Sequence, residues 1–199
     1  PLKVGYLITG AHDPRLTVLD PRGKIVAEVS NWTADFRGSD INVSADGRTV
    51  ELTYSEPAPR TAQWSVMDRE LVLGDPDPRL KPAVVDFDGT SVRGWKNSLH
   101  PTVNGGKLDL EAQETSRSLA FAPDGRFVVG AEWYLRMFDA AGARQWKRAS
   151  PGIAWSVNIP ARGDVVVVAY SDGTIRWHRL TDGEELMALF PHADMKRWI

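Results

Sequence analysis

The sequence predicts an all-β chain built from short repeated units, and three observations predict it. Eight tryptophans stand among 17 glycines and 13 prolines in 199 residues, which suits aromatic strands punctuated by Gly/Pro turns. The same strand-and-turn phrase returns about every forty residues, a period that marks stacked arrays of small sheets. Asp124-Gly125 and Asp172-Gly173 stand where tight hairpins are expected, because glycine accepts positive φ there without steric cost.

The units are read in chain order. Residues 1–31 form the first, in which Leu7 to Asp20 aligns with Val166 to Arg179 and Asp13 falls on Asp172. Residues 38–76 form the second, through Ile41-Asn-Val-Ser-Ala-Asp-Gly47, Thr49 to Ser55 and Thr61 to Val66. Residues 77–114 are degenerate: Pro78, Pro82 and Pro101 interrupt them, and Ser91 to Lys96 and a Val103-Asn-Gly-Gly-Lys-Leu108 hairpin are all that resembles the phrase. They read as a distorted unit or an insertion. Residues 115–150 and 151–191 are the clearest pair. Leu119 and Phe121 match Val157 and Ile159, Gly125 matches Gly163, and Leu135-Arg136 matches Ile175-Arg176. The marker position of the third strand is Leu19, Trp64, Trp95, Phe138 and His178 in turn. Residues 192–199 read as the start of a further strand.

These units resemble WD40 repeats. The resemblance is carried by Ala122-Pro-Asp-Gly-Arg126, by Ser171-Asp-Gly-Thr-Ile-Arg176 and by Phe138-Asp139 in the Trp-Asp slot, and it covers residues 3–76 and 115–199. It implies a WD40-like β-propeller with four to five four-stranded antiparallel blades, part of a larger propeller. The physics agrees, since a small sheet with two apolar faces hides both only by stacking in an array. The His/Ser/Asp/Trp cluster usual in that family is incomplete in every unit, so packing is expected to hold the blades. The first unit lacks its innermost strand, and Met195 to Ile199 resembles one. Either five units close into a ring with the tail completing the first, or the chain is a window on a longer propeller. The poor third unit and the lack of an opening Met favour the window.

More narrowly, Ser116 to Gly125, Glu132 to Asp139 and Gly173 to Leu186 resemble the last repeats of large bacterial WD40 proteins, some of which carry a caspase-like peptidase domain. That resemblance implies an accessory propeller beside an effector domain. No catalytic residue carries over, because the caspase nucleophile is a cysteine and this chain has none.

Composition narrows the chemistry. The 24 basic and 26 acidic side chains leave a net charge of −2, which argues against a nucleic-acid grip that works by releasing counterions. The longest apolar run, Val165 to Tyr170, is far short of the ~20 residues of a membrane span, so no membrane contact by this segment is expected. Without cysteine there are no disulfides, thiolate metal sites or cysteine nucleophiles, and nothing fixes the compartment. The chain has no G-x-S-x-G elbow, no phosphate loop and no sialidase-type Asp box. His12, His100, His178 and His192 make no helix-spaced metal pair. His178 reads as packing in an aromatic slot, and His12 as part of a solvated turn. Asp86-Phe-Asp-Gly-Thr90 opens like a calcium loop but lacks the later acidic ligands, so it reads as a β-turn. Phe138 to Trp146 resembles the tryptophan-docking motif of quinoprotein propellers, in which the Trp locks neighbouring blades. A quinone site there would need a carboxylate-held calcium and usually a vicinal disulfide; without cysteine the second is excluded, and no cofactor is expected.

The function expected is a non-catalytic protein-interaction platform or sensor module that takes a protein or peptide partner; the oligomeric state is left open. Loops and the starts of innermost strands are the natural contact surface, with aromatic and arginine anchors. Arg117, Trp133, Tyr134, Trp155 and Arg197 are the candidates, against the alternative that the aromatics pack between blades. Arg136 and Arg176 recur at one strand position, which favours a repeated ion pair or a solvated face. The second hypothesis is an enzymatic or cofactor-binding propeller with converging carboxylates or histidines in a central channel.

Overall fold

Runs of β-branched and aromatic residues, cut by turn residues, form the elements of this chain. The computed structural model describes residues 7–10, 15–30, 34, 36–38, 40–54 and 58–199, so His12 and Asp13 of the first unit lie outside the described residues. Among the described residues the chain is all β, with eighteen strands and no helix. The strands make five antiparallel meanders in which sequence neighbours pair. Sheet 1 holds β1 (Leu7–Gly10), β2 (Arg15–Leu19) and β3 (Ile25–Ser30). Sheet 2 holds β4 (Asn42–Val43), β5 (Thr49–Tyr54), β6 (Arg60–Ser65) and β7 (Glu70–Leu73). Sheet 3 holds β8 (Val92–Arg93), β9 (Thr102–Val103) and β10 (Gly106–Lys107). Sheet 4 holds β11 (Ser116–Phe121), β12 (Phe127–Ala131), β13 (Tyr134–Phe138) and β14 (Arg144–Ala149). Sheet 5 holds β15 (Ala154–Asn158), β16 (Val165–Tyr170), β17 (Ile175–Arg179) and β18 (Glu185–Leu189).

Four strands per unit is therefore met in sheets 2, 4 and 5, while sheets 1 and 3 have three among the described residues. Sheet 3 is short for a physical reason. Its prolines remove ladder donors, and what pairs is mainly the hairpin turning at Asn104-Gly105, with φ of 49° and 82°, the left-handed pair that a two-residue hairpin needs.

Three apolar clusters join the sheets in the spatial order 3, 4, 5, 2. Val103 and Leu108 of the sheet 3 segment pack with Leu119, Phe121, Phe127, Val129 and Phe138 of sheet 4. Ala120, Val128, Leu135 and Met137 of sheet 4 pack with Val157, Val166, Val168 and Tyr170 of sheet 5. Val167, Ala169, Ile175 and Trp177 on the far face of sheet 5 pack with Val50, Leu52, Ala62 and Trp64 of sheet 2. Covered on both faces, β12 and most of β16 are buried along their length, and their sequences accordingly read as unbroken apolar runs.

The same seating recurs at successive junctions. A Cβ on Gly125 would sit 2.8 Å from the Phe87 ring, one on Gly163 3.1 Å from Pro123, and one on Gly47 3.0 Å from Pro160. In each case the first turn of one sheet presses on the neighbour before it. Serines of the first strands repeat as well. Ser118 Oγ donates to the Ala154 carbonyl at 2.8 Å, and Ser156 Oγ accepts from the Ile41 N–H at 3.2 Å. Sheet 2 thus follows sheet 5 as sheet 5 follows sheet 4, although it comes more than a hundred residues earlier in the chain. Trp146 is buried, donates from Nε1 to the Leu180 carbonyl at 2.8 Å, and lies under Gly183. It ties sheet 4 to sheet 5, the structural role its motif suggested.

Residues 81–87 run across the first strands of sheets 2 and 4. Lys81 and Val43 exchange both backbone hydrogen bonds at 2.9 Å, and the Val84 carbonyl accepts from Phe121 N–H at 2.7 Å. Asn158 Nδ2 donates to the Ile41 and Lys81 carbonyls, each at 3.0 Å. At the other extreme Phe190–Ile199 doubles back on itself, with Pro191 bridged to Trp198.

His178 takes the slot that Phe138 fills in sheet 4. It is buried; the Gly183 carbonyl can only accept, so Nδ1 carries the proton and Nε2 accepts from the Tyr170 hydroxyl at 3.1 Å. Burial lowers its pKa below 6.5, against a smaller raising effect from the Gly183 carbonyl. The unfolded chain therefore takes up the proton first. Stability is full above about pH 6.5 and falls as the pH drops from there towards the lower folded value. His178→Phe is expected to flatten this slope in urea titrations run between about pH 5 and 7. An unchanged slope would assign the acid sensitivity to other groups.

Candidate functional site

The candidate site is made by two matching irregularities. β11 pairs Ser116 with Ala131 and then Ser118 with Gly130, leaving Arg117 as the extra residue of a bulge. β15 pairs Ala154 with Tyr170 and then Ser156 with Ala169, leaving Trp155 as its counterpart. A bulge re-aims the side chain of the extra residue. Here the two meet: the Arg117 guanidinium carbon lies 5.2 Å from the centroid of the Trp155 ring, within cation–π range. Arg117 Nη1 donates to Asn97 Oδ1 at 2.8 Å, and Nη2 pairs with the Glu132 carboxylate. Arg117 Nε is buried and, among the described residues, has no hydrogen-bond partner.

Glu132 leads into the β12–β13 turn, where Trp133 is 46% exposed. This turn is pinned from below. Both Trp133 N–H and Tyr134 N–H donate to Glu114 Oε1, at 3.2 and 3.0 Å. Glu114 Oε2 accepts from Arg136 Nη2 at 2.6 Å, and both side chains are fully buried. The Tyr134 ring takes two cations, with the Arg136 guanidinium carbon 4.9 Å and Lys147 Nζ 4.2 Å from its centroid. Lys147 also donates to Glu111 at 2.5 Å. That hydrogen bond and the Lys147 charge, with a smaller effect of Arg136, hold the Glu111 carboxyl below the usual carboxylate range.

The structure thus brings Arg117 and Trp155 together directly and ties Arg117 to Glu132, the residue before Trp133, while the Tyr134 ring faces Arg136 and Lys147 instead. Arg197 stands apart. It lies in the C-terminal hairpin, exposed and paired with Asp194 at 2.5 Å. Arg136 and Arg176 both make ion pairs, as their recurrence suggested, but in different settings. Arg136 is buried on Glu114, while Arg176 reaches Asp172 at 2.9 Å and Glu185 at 2.8 Å near the surface. Asn97, Glu114 and Glu132 are supports that the sequence reading missed. Asn97 sits at φ 53° in the degenerate unit, where no repeat pattern could flag it. Glu132, placed between the end of β12 and an exposed Trp, was the one legible signal. Asp86 to Thr90 forms a tight turn, with Thr90 N–H donating to the Phe87 carbonyl at 3.1 Å.

Among the described residues no three His, Asp or Glu side chains group to hold a metal ion, and no helix is long and apolar enough to cross a membrane. No family model matches the chain, and no curated protein matches it.

Proposed function

We propose that the chain is a WD40-type β-propeller segment acting as a non-catalytic interaction platform or sensor module, and that it takes a protein or peptide partner on the face bearing Arg117, Trp133 and Trp155. The observation that carries this reading is the paired bulge. Two equivalent inner strands each turn their extra residue to the same end, and there an arginine and an indole form one rigid plate beside an exposed tryptophan. Tryptophan and arginine are the side chains that most often dominate binding energy at interfaces. Holding them by ion pairs and backbone amides removes much of the ordering cost of binding. The repeated seating of turn glycines and inner serines supports the propeller reading, because equal junctions generate a radial array. The inner strands engage their polar groups with one another and with residues 81–84, as a structural hub does. On the resemblance to large bacterial WD40 proteins, the platform would gather partners for an effector domain.

The test is selection of random displayed peptides on the purified chain, followed by affinity measurement on the synthetic winners. Trp155→Ala and Trp133→Ala are expected to weaken binding about thirtyfold each, the scale of an aromatic anchor, with Arg117→Ala close behind and thermal melting little changed for Trp133→Ala. No enrichment, or winners that bind all three variants as they bind the parent, would reject this face as the contact surface.

A further inference from the structure

The junction between sheets 2 and 5 carries a second feature, independent of the Arg117–Trp155 face. Trp64 and Trp177 meet there with ring centroids 5.7 Å apart, and the C-terminal hairpin Phe190–Ile199 lies over them. Trp198 stands edge-on to Trp64 at 5.6 Å and 70°, and Met195 packs against the same cluster. The hairpin is otherwise self-contained. Among the described residues, all hydrogen bonds and ion pairs of Pro191–Ile199 are to other residues of Phe190–Ile199. Among the described residues it is held to the body by side-chain packing alone.

What it covers is not satisfied. Among the described residues the Tyr54 hydroxyl and the Trp64 indole N–H have no hydrogen-bond partner, and the two residues are 2% and 3% exposed. Burying donors without acceptors is unfavourable. Asp194 is near enough to help burial raise the Tyr54 pKa, yet its carboxylate is already engaged by Lys196 N–H, Arg197 N–H and Arg197 Nε. The hairpin also carries strain of its own at Met195, with φ of 58°. Ile199 remains 85% exposed, and Pro191 stands at the point where the hairpin leaves sheet 5.

The geometry points to this seam as a docking site for an aromatic peptide segment of another chain, with the C-terminal hairpin seated in it as a competitor in cis. The occupant is a peptide because the resident is one: an indole against Trp64 and a flexible apolar side chain beside it. The two idle donors define what a better occupant adds, namely backbone carbonyls flanking its aromatic ring. Binding in trans must first displace the hairpin, so the apparent affinity is reduced by the fraction of molecules in which the seam is open.

The test uses the full chain and a labelled synthetic decapeptide with the sequence of residues 190–199, followed by fluorescence anisotropy. Trp198→Ala, which weakens the cover, is expected to bind this probe at least tenfold more tightly than the parent. Adding Trp64→Ala to it is expected to abolish the gain. Unlabelled acetyl-Ala-Ala-Trp-Ala-Ala-amide should displace the probe from the Trp198→Ala chain. Trp64→Phe or Tyr54→Phe, which keep a ring and remove a donor, should each weaken that displacement at least threefold. Trp198→Phe serves as the second variant should the alanine chain unfold. Equal binding of the probe by parent and both Trp198 variants overturns the proposal, as does displacement indifferent to both donor losses. A parent chain that elutes as a dimer, and becomes monomeric with Trp198→Ala, overturns it in favour of hairpin exchange between two copies.

Discussion

Glu114→Ala is expected to lower the unfolding free energy by about 3–5 kcal/mol, the range for stranding a buried charge. Glu114 is fully buried and accepts from four donors: Arg136 Nη2 at 2.6 Å, Glu111 N–H at 3.1 Å, Trp133 N–H at 3.2 Å and Tyr134 N–H at 3.0 Å. Alanine removes all four acceptor contacts at once. Among the described residues Arg136 keeps Glu111 at 3.4 Å and the face of Tyr134, and two of its nitrogens, Nε and Nη1, already have no hydrogen-bond partner. The cost is therefore dominated by an uncompensated buried guanidinium and not by the net worth of one ion pair. For a chain of this size that corresponds to a fall in Tm of roughly 6–20 °C. Glu114→Gln keeps an oxygen for the two turn amides but loses the charge, and should fall between the parent and alanine. Removing both charges with Arg136→Met and Glu114→Gln should recover part of the loss, since an apolar replacement of a buried pair is often close to neutral. Urea unfolding of the four chains measures this order. A loss below about 1 kcal/mol in Glu114→Ala would mean that water already solvates Arg136. Because Glu114 also fixes the amides of Trp133 and Tyr134, the same variant should loosen the exposed Trp133 and weaken binding at the Arg117–Trp155 face.

Sheets 4 and 5 were the most legible part of the sequence, because local and tertiary signals agree there. Their strands are long, their Asp-Gly turns have the positive φ that glycine permits, and packing on both faces selects the unbroken apolar runs of β12 and β16. The Trp146 contact was legible too, through the resemblance of Phe138 to Trp146 to a tryptophan-docking motif. Residues 77–114 were illegible because their fold is set from outside. Lys81 is held by Val43 and Asn158, Val84 by Phe121, and Asn104 by Ala140, so no local periodicity announces them. At the site, residue types were readable and their convergence was not. Arg117 and Trp155 meet only because each is the unpaired residue of a bulge, and a bulge is a property of register between strands. Arg136 found its partner in Glu114, in the turn that precedes β11, where repeat alignment has nothing to compare.

Trp177→Ala is expected to be the most damaging apolar truncation, because Trp177 joins segments of chain that nothing local holds together. It is 4% exposed, donates from Nε1 to the Gly47 carbonyl at 2.7 Å, and packs on Trp64. Alanine leaves a cavity the size of an indole and an unpaired carbonyl, at a cost of about 3–5 kcal/mol. Trp177→Phe retains much of the packing and loses the hydrogen bond, so about 1–2 kcal/mol is expected. The pattern of the damage matters more than its size. Within sheets 3, 4 and 5 each junction joins units that follow one another in the chain, so loop closure between them is short. Sheet 2 meets sheet 5 across more than a hundred residues of sequence, and the seam contacts, with those of Lys81 to β4 and Asn158 and of Val84 to β11, offset the entropy of that closure. In Trp177→Ala the amides of β5, at Val50 and Leu52, should therefore lose hydrogen-exchange protection at lower denaturant than those of Val128 and Val129 in β12, a sub-global opening absent from the parent. Uniform loss of protection across β5 and β12 would instead make the whole array one cooperative unit, with the seam no weaker than the junctions between consecutive sheets.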